Sequence, residues 1–233
     1  MPVSKADLMV DWATHEAAKY ACLTWHYSKT VPTGKPLRIG VWEKDQFIGV
    51  VFFGSGASAA LGVPYNLKGT EVCELVRVAL NKHETPVSRI IRIAIKLLKL
   101  NCPKLRLIVS FADPYHNHHG GIYQAGNWLY SGDSSPSHMW KLPDGSIAHD
   151  RRFSGSGWNA PKPPPKGSYK IKVPGKHRYL MPLDPEMRAK IAPLAKPYPK
   201  RTKDQAPEFP FGLGGETPTC ALHLPTARAS AHG

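Results

Sequence analysis

Glu71-Val72-Cys73-Glu74-Leu75-Val76-Arg77-Val78-Ala79-Leu80, then Thr85-Pro86-Val87-Ser88-Arg89-Ile90-Ile91, then Leu105-Arg106-Leu107-Ile108-Val109-Ser110-Phe111: these three runs decide the fold. The first alternates as a strand does, with Val72, Glu74, Val76 and Val78 against Cys73, Leu75, Arg77 and Ala79. Thr85 with Pro86 reads as an N-cap followed by proline at the first helical position. Behind it Ile90, Ile91, Ala94, Ile95 and Leu98 keep to one helical face. Leu105–Phe111 is almost continuously apolar, as parallel strands covered on both sides are. Strand, helix, strand in this order predicts a right-handed crossover and parallel pairing.

Working outward, Ser4 with Asp7 resembles a capping box, and Leu8 to Leu23 keeps helical spacing, so a first helix is expected there. Arg38–Glu43 and Phe47–Gly54 form a hairpin, and Gly54–Leu67 a loop or short helix. Asn117–Asn127 reads as a helix with Gly126 as its C-terminal cap. Trp128–Ser131 is a short strand, and Met139–Asp150 a second hairpin. The fold class is therefore α/β, a mixed central sheet with flanking helices. Residues 1–153 form the expected catalytic domain. Residues 154–201 are a basic, proline-rich extension, reached through the stiff Pro163-Pro164-Pro165, that packs on the domain, on DNA or on both. Residues 202–233 lose hydrophobic pattern and read as a disordered tail.

Charge narrows the partners. The chain carries 31 Lys and Arg against 17 Asp and Glu, a net +14. From Pro161 to Lys203, twelve cations stand against Asp184 and Glu186 alone. A solubilising segment is the plain reading; a polyanion is favoured, because clustered cations displace counterions from phosphates. Cys22, Cys73, Cys102 and Cys220 are scattered and read as reduced thiols rather than a zinc site. No apolar run approaches the roughly 18 residues of a membrane span, and the N-terminus has no apolar signal core. The expected compartment is the cytoplasm, with no membrane partner.

The reactive ends of an open parallel sheet are the carboxyl ends of its strands. Here these present Glu74 and Arg77 on one strand and Ser110-Phe111-Ala112-Asp113 on the other. Glu74 aligns with Val72 and Val76, toward a side that looks buried, where a carboxylate must be paired or functional. Arg77, three positions on, should face the opposite side. Asp113 before Pro114 reads equally as a turn former. His26-Tyr27, just after the first helix, offers a base and a phenol. His116 and His119 would share a helix face as a metal pair, or belong to an exposed polar loop. Tyr123 stands about one turn before Gly126 and looks back at the strand ends. Arg89, Lys172, Lys176, His177, Arg178 and Tyr179 are the expected nucleic-acid contacts, since cations interleaved with an aromatic suit phosphates and bases; His177, Arg178 and Tyr179 could instead pin the segment to the domain.

The element order, with Tyr123 on the last helix and Gly126-Asn127-Trp128 leaving it, resembles the GNAT acyltransferase fold. A closer resemblance is to the phage Mom-type DNA adenine modification family, itself GNAT-like. It rests on Trp25-His26-Tyr27, Thr70–Arg77, Thr85–Arg89, Ser110–Pro114, His118–Trp128 and Gly175–Tyr179, and runs from about residue 20 to 201. The resemblance implies conversion of adenine in double-stranded DNA to N6-(carbamoylmethyl)adenine, with the base flipped out, in the cytoplasm of a bacterial host and as protection against restriction.

It also implies catalytic roles for His26, Tyr27, Glu74, Ser110, Asp113 and Tyr123: His26 or Asp113 as base, Ser110 or Tyr123 as oxyanion donor, Tyr27 against the adenine. Where GNATs bind the pyrophosphate of acetyl-CoA with a glycine-rich loop, this chain has His83–Arg89, with a proline and no glycine. An activated glycyl group, carried by an aminoacyl-tRNA, is the expected donor. The family's link with iron would draw on His26, Asp113, His116, His118 and His119. The rival readings are an N-acetyltransferase acting on a protein or small-molecule amine, and a DNA-binding protein without catalysis.

Overall fold

The computed structural model describes residues 7–56, 60–153 and 162–200. Seven strands form one sheet in the order β1-β2-β3-β4-β5-β10-β6. They are β1 (Leu8–Trp12), β2 (Leu37–Glu43), β3 (Gln46–Gly54), β4 (Val72–Leu80), β5 (Leu107–Ala112), β6 (Leu129–Asp133) and β10 (His177–Pro182). β7 (Ser137–Lys141), β8 (Ile147–His149) and β9 (Tyr169–Val173) form a small antiparallel sheet in the order β8-β7-β9. In the main sheet β4 and β5 pair in parallel and the other neighbours antiparallel. This mixed sheet with its central parallel pair is the expected α/β class.

Helices cover both faces. α2 (Val87–Asn101) lays Ile90, Ile91, Ala94 and Leu98 on Ile39, Val51, Phe53, Leu75 and Ile108. The short α3 (Gly121–Gln124) lies on that same side through Tyr123. On the opposite face α1 (His15–Trp25) packs Ala18, Ala21 and Cys22 against Val50, Phe52 and Ala79. There too α4 (Pro185–Ile191) packs Met187 and Ile191 against Val72, Leu107, Val109 and Leu180. Among the described residues no helix is long and apolar enough to cross a membrane.

Four expectations need correction. Leu8–Trp12 is a strand, not the first half of a helix: it pairs with the open edge of β2 from Leu8↔Glu43 to Trp12↔Ile39. The helix starts later, where the Thr14 hydroxyl accepts from the Ala17 amide; Ser4 lies outside the described residues. The N-cap of α2 is Pro86 rather than Thr85. Thr85 is buried, and its hydroxyl donates to Glu43 Oε1 at 2.5 Å. Asn117–Asn127 is not one helix, because Asn117 (φ 60°) and Gly120 (φ 84°) turn left-handed and break it. Only glycine fits at 120: a Cβ there would come within 2.3 Å of the Tyr179 ring. The left-handed residue behind α3 is Asn127 (φ 57°), not Gly126.

The segment read as an extension, residues 154–201, supplies β9 to the small sheet and β10 to the interior of the main one, between β5 and β6. Residues 201–233 lie outside the described residues. The chain returning from β10 is anchored by Asp184. That carboxylate caps α4 by accepting from the Met187 amide at 2.7 Å and takes the Arg106 guanidinium at 2.9 and 3.1 Å. Arg106 holds the Asp184 pKa down to about 2.

Asp184→Ala should therefore cost about 1–2 kcal/mol, the size of a lost helix cap, measured by urea denaturation at pH 7. Because the folded pKa lies below the unfolded value of about 3.9, this contribution is full above pH 4 and is lost as pH falls through 2. The variant should lose the matching slope in that window.

Candidate active site

The central parallel pair is short. β4 and β5 pair at Val72↔Leu107, Cys73↔Ile108 and Glu74↔Val109 and then part. Past that point the Leu75 carbonyl accepts from Ser110 Oγ at 2.8 Å, and the Tyr123 hydroxyl lies 2.8 Å from the same Oγ. A serine has one proton to give, so it bonds Leu75 while Tyr123 donates to it. Ser110 and Tyr123 are 1% and 8% exposed, a polar wedge sealed inside the gap on the α2 side. The Tyr179 ring stacks 5.0 Å from Tyr123, and its hydroxyl donates to the His119 carbonyl at 2.5 Å.

β4 then bulges, with Leu75 opposite Phe53 but Arg77 opposite Phe52. The extra residue turns both Val76 and Arg77 toward α1. Val76 joins the apolar packing there, and the Arg77 guanidinium donates to the Thr30 carbonyl. Glu74 and Arg77 thus share a face, against the expectation that they diverge. Glu74 is half-buried under the backbone of Gly56, where a Cβ would come 2.6 Å from its Oε2. On this face Phe111 lies 5.9 Å beneath the Arg178 guanidinium, beside the buried Tyr65. Asp113 follows the inward Ala112 and so turns to the α1 side.

His26 and Tyr27 come off the end of α1 into this cluster. His26 Nδ1 lies 3.2 Å from the Ser28 amide and 2.8 Å from its hydroxyl. An amide can only donate, so Nδ1 accepts and the neutral ring carries its proton on Nε2. Desolvation, followed by the charges of Arg77, His118 and Lys29, pushes the His26 pKa down to about 3. The half-exposed Tyr27 ring lies 4.3 Å from His26, 5.4 Å from His116 and 5.2 Å from His118. Desolvation of the phenol and the nearby Asp113 carboxylate push its pKa up. Asp113 Oδ1 accepts from the Tyr115 amide at 3.0 Å, and Oδ2 lies 3.3 Å from Lys176 Nζ.

The structure therefore sorts the sequence candidates. His26, Tyr27, Glu74 and Asp113 share the α1 face, with Lys176 and Arg178 at its rim. Ser110 and Tyr123 meet each other on the other side of the same gap. Arg89 stands half-buried in the first turn of α2, also on that other side, and Lys172 belongs to the small sheet. His177 Nδ1 is bound to Asp133 at 2.6 Å, an oxygen that also accepts from Tyr130 at 2.6 Å. Tyr179 is wholly buried and cannot touch a nucleic acid, contrary to expectation. His116 and His119 share no helix face, since left-handed Asn117 lies between them. Among the described residues no three His, Cys, Asp or Glu side chains gather to hold a metal. Sequence reasoning put Arg77 on the wrong face, because strict alternation carries no mark of the bulge, and missed Asp133, which the β10–β6 contact brings to His177.

The family model of the Mom protein family matches residues 7–200. The chain belongs to the Mom protein family. It is 28% identical over 148 residues to the methylcarbamoylase mom of Escherichia phage Mu, an alignment covering 62% of this chain and 61% of that relative. The chain thus spans about three fifths of the relative's length. Similar solved structures include FeeM, an N-acyl amino acid synthase from uncultured soil microbes, at 10% identity and TM-score 0.45, covering 78% of this chain and 93% of that one. The AHL synthase LasI matches at 12% identity and TM-score 0.38, covering 83% and 98%. In this Mom family member, the histidine and tyrosine after α1, the parted strands and the Asp113 turn all fall within the matched span.

His26 makes the fold pH-sensitive in a defined direction. An unfolded histidine binds a proton near pH 6.5, whereas the folded one refuses it until about 3. Stability should fall as pH drops from 6.5 toward 3. Thermal melts across that range should show a shallower decline for His26→Gln than for the parent; identical slopes would contradict the neutral, desolvated ring.

Proposed function

We propose that this chain is a transferase converting adenine in DNA to N6-(carbamoylmethyl)adenine, which would protect phage DNA from host restriction. The observation that carries this reading is the α1-face cluster. A half-exposed aromatic, Tyr27, is framed by histidines beside the Asp113 carboxylate, and the cations Lys176 and Arg178 stand at its edge. A flipped adenine would lie against Tyr27, with phosphates near Lys176 and Arg178. Asp113 would take the proton from the attacking N6 amine. His26 is too weakly basic for that task; its Nε2–H would instead donate to the oxygen that gains charge. Ser110 and Tyr123 would act by holding the strands apart.

An activated glycyl ester, as on an aminoacyl-tRNA, is the donor most consistent with the turn before α2. The amides of Glu84 and Thr85, where a pyrophosphate would be held, each bind the Glu43 carboxylate at 2.8 Å. An internal anion already sits on these donors, which argues against acetyl-CoA. In the proposed reaction N6 attacks the glycyl carbonyl, the N6–C bond forms, and the ester C–O bond breaks to release the carrier hydroxyl. The glycyl amine then attacks ring carbon six, closing a five-membered ring. Cleavage of the old C6–N6 bond leaves N6–CH2–CO–NH2, with the former N6 as the terminal amide.

Nucleosides digested from DNA of cells expressing the chain should contain the modified adenine by mass spectrometry, and unmodified adenine throughout would end this reading. With 15N-glycine the label should sit on the ring-attached nitrogen; label in the terminal amide would overturn the glycyl route. Asp113→Asn should cut product at least a hundredfold, at the lower end of what proton transfer contributes (about 10²–10⁴), while duplex affinity stays within threefold.

A further inference from the structure

The excess charge is not spread evenly. Residues 7–136 carry 14 Lys and Arg against 10 Asp and Glu. The much shorter pieces 137–153 and 162–176, which build the small sheet, carry 8 against 2. Nothing in the cleft chemistry requires that sheet. We propose that the β8-β7-β9 sheet is a separate docking surface for the phosphate backbone of duplex DNA, engaging the strand beyond the adenine being modified; this rests on the reading of the chain as a DNA-modifying enzyme.

The register shows what one face presents. Trp140 pairs with Lys170 and His138 with Lys172, so these four side chains stand together. Lys170 and Lys172 are exposed and lie two strand residues apart, roughly 6.6 Å along β9. Lys166, also exposed, leads into the same strand. The aromatic here is not an open platform for bases. Lys170 Nζ sits 5.2 Å over the Trp140 ring and 3.3 Å from Asp150 Oδ1, Phe153 packs against the ring at 6.1 Å, and the Trp140 Nε1 donates to the same carboxylate at 2.7 Å. With Trp140 occupied as a support for Lys170, the face offers cations and no stacking surface. That is the chemistry of sequence-independent backbone contact rather than of single-strand stacking.

The sheet is also fixed relative to the cleft. β9 runs into β10 through Pro174-Gly175-Lys176. There the Ser134 amide donates to the Lys176 carbonyl at 2.9 Å, and the Lys176 amide to the Ser134 hydroxyl at 2.9 Å. Gly175 is packed so closely that a Cβ would fall 1.7 Å from the Ser134 carbonyl oxygen. Lys176 in turn reaches Asp113 at 3.3 Å. A backbone resting on Lys166, Lys170 and Lys172 thus continues without a flexible joint to the rim of the cleft.

The test replaces Lys166, Lys170 and Lys172 together with Gln in the full chain. A control removes the same charge from exposed helix positions, with Lys19, Arg92 and Lys96 changed to Gln. Affinity for a mixed-sequence duplex of about 30 base pairs should fall at least tenfold in the first variant, and the slope of log affinity against log salt should shrink by about 2–3, near 0.9 per lost phosphate contact. The control should stay within threefold, and both melts should match the parent. Unchanged affinity and slope, an equal loss in the control, or a loss confined to an RNA strand of the same length would overturn the proposal. A parent that binds duplex through these lysines yet leaves no modified adenine would refute the enzymatic reading and leave the docking surface standing. Modified adenine with no effect of the three lysines would do the reverse.

Discussion

The brevity of the β4–β5 pairing is the constraint on which the rest of the structure depends. Two parallel strands that stop pairing after Glu74↔Val109 leave polar backbone inside a protein, where it must find other partners. Ser110 supplies one by bonding the Leu75 carbonyl, and Tyr123 holds Ser110 in turn. The β4 bulge turns Val76 and Arg77 to the α1 side. One side of the gap is thereby closed by hydroxyls and aromatic rings, and the other is open and charged. A single departure from regular pairing makes both.

The electrostatics of the open side follow from that geometry. Burial at the end of α1, and after it the Arg77 cation brought beneath, keep the His26 imidazole neutral. Across the cluster Lys176 stands against Asp113. The face can offer a neutral donor and a carboxylate together. At the turn before α2 the opposite solution is used: a carboxylate of the chain itself, Glu43, fills the amides that an external phosphate would need.

Much of the fold was legible because it is local. The β2–β3 hairpin, the β4-α2-β5 unit, β6 and the β7–β8 hairpin each lie within a few residues of their expected bounds, since alternation and turn chemistry act over neighbouring positions. Leu8–Trp12 was not legible: its apolar spacing fits either period, and the vacant edge of β2 chose the strand. Nor was the single-turn α3, because the backbone of residue 120 is dictated by the Tyr179 ring, 59 positions away in the chain.

The same division runs through the candidate site. His26, Tyr27, Glu74, Ser110, Asp113 and Tyr123 are residue types whose chemistry stands out wherever they fall, and the strand–helix–strand pattern places most of them at the strand ends. Which of them meet is a matter of long-range pairing. Tyr179 reads as a nucleic-acid contact beside Lys176 and Arg178, but β10 inserts between β5 and β6 and buries it. Glu74 and Arg77 read as diverging until the bulge turns them together. By itself the sequence determined the local elements, the excess of cations and the set of reactive side chains, because these depend on residue type and near neighbours. Only the tertiary structure decided the strand order, the faces and the partners, because those depend on contacts between segments that no local period records.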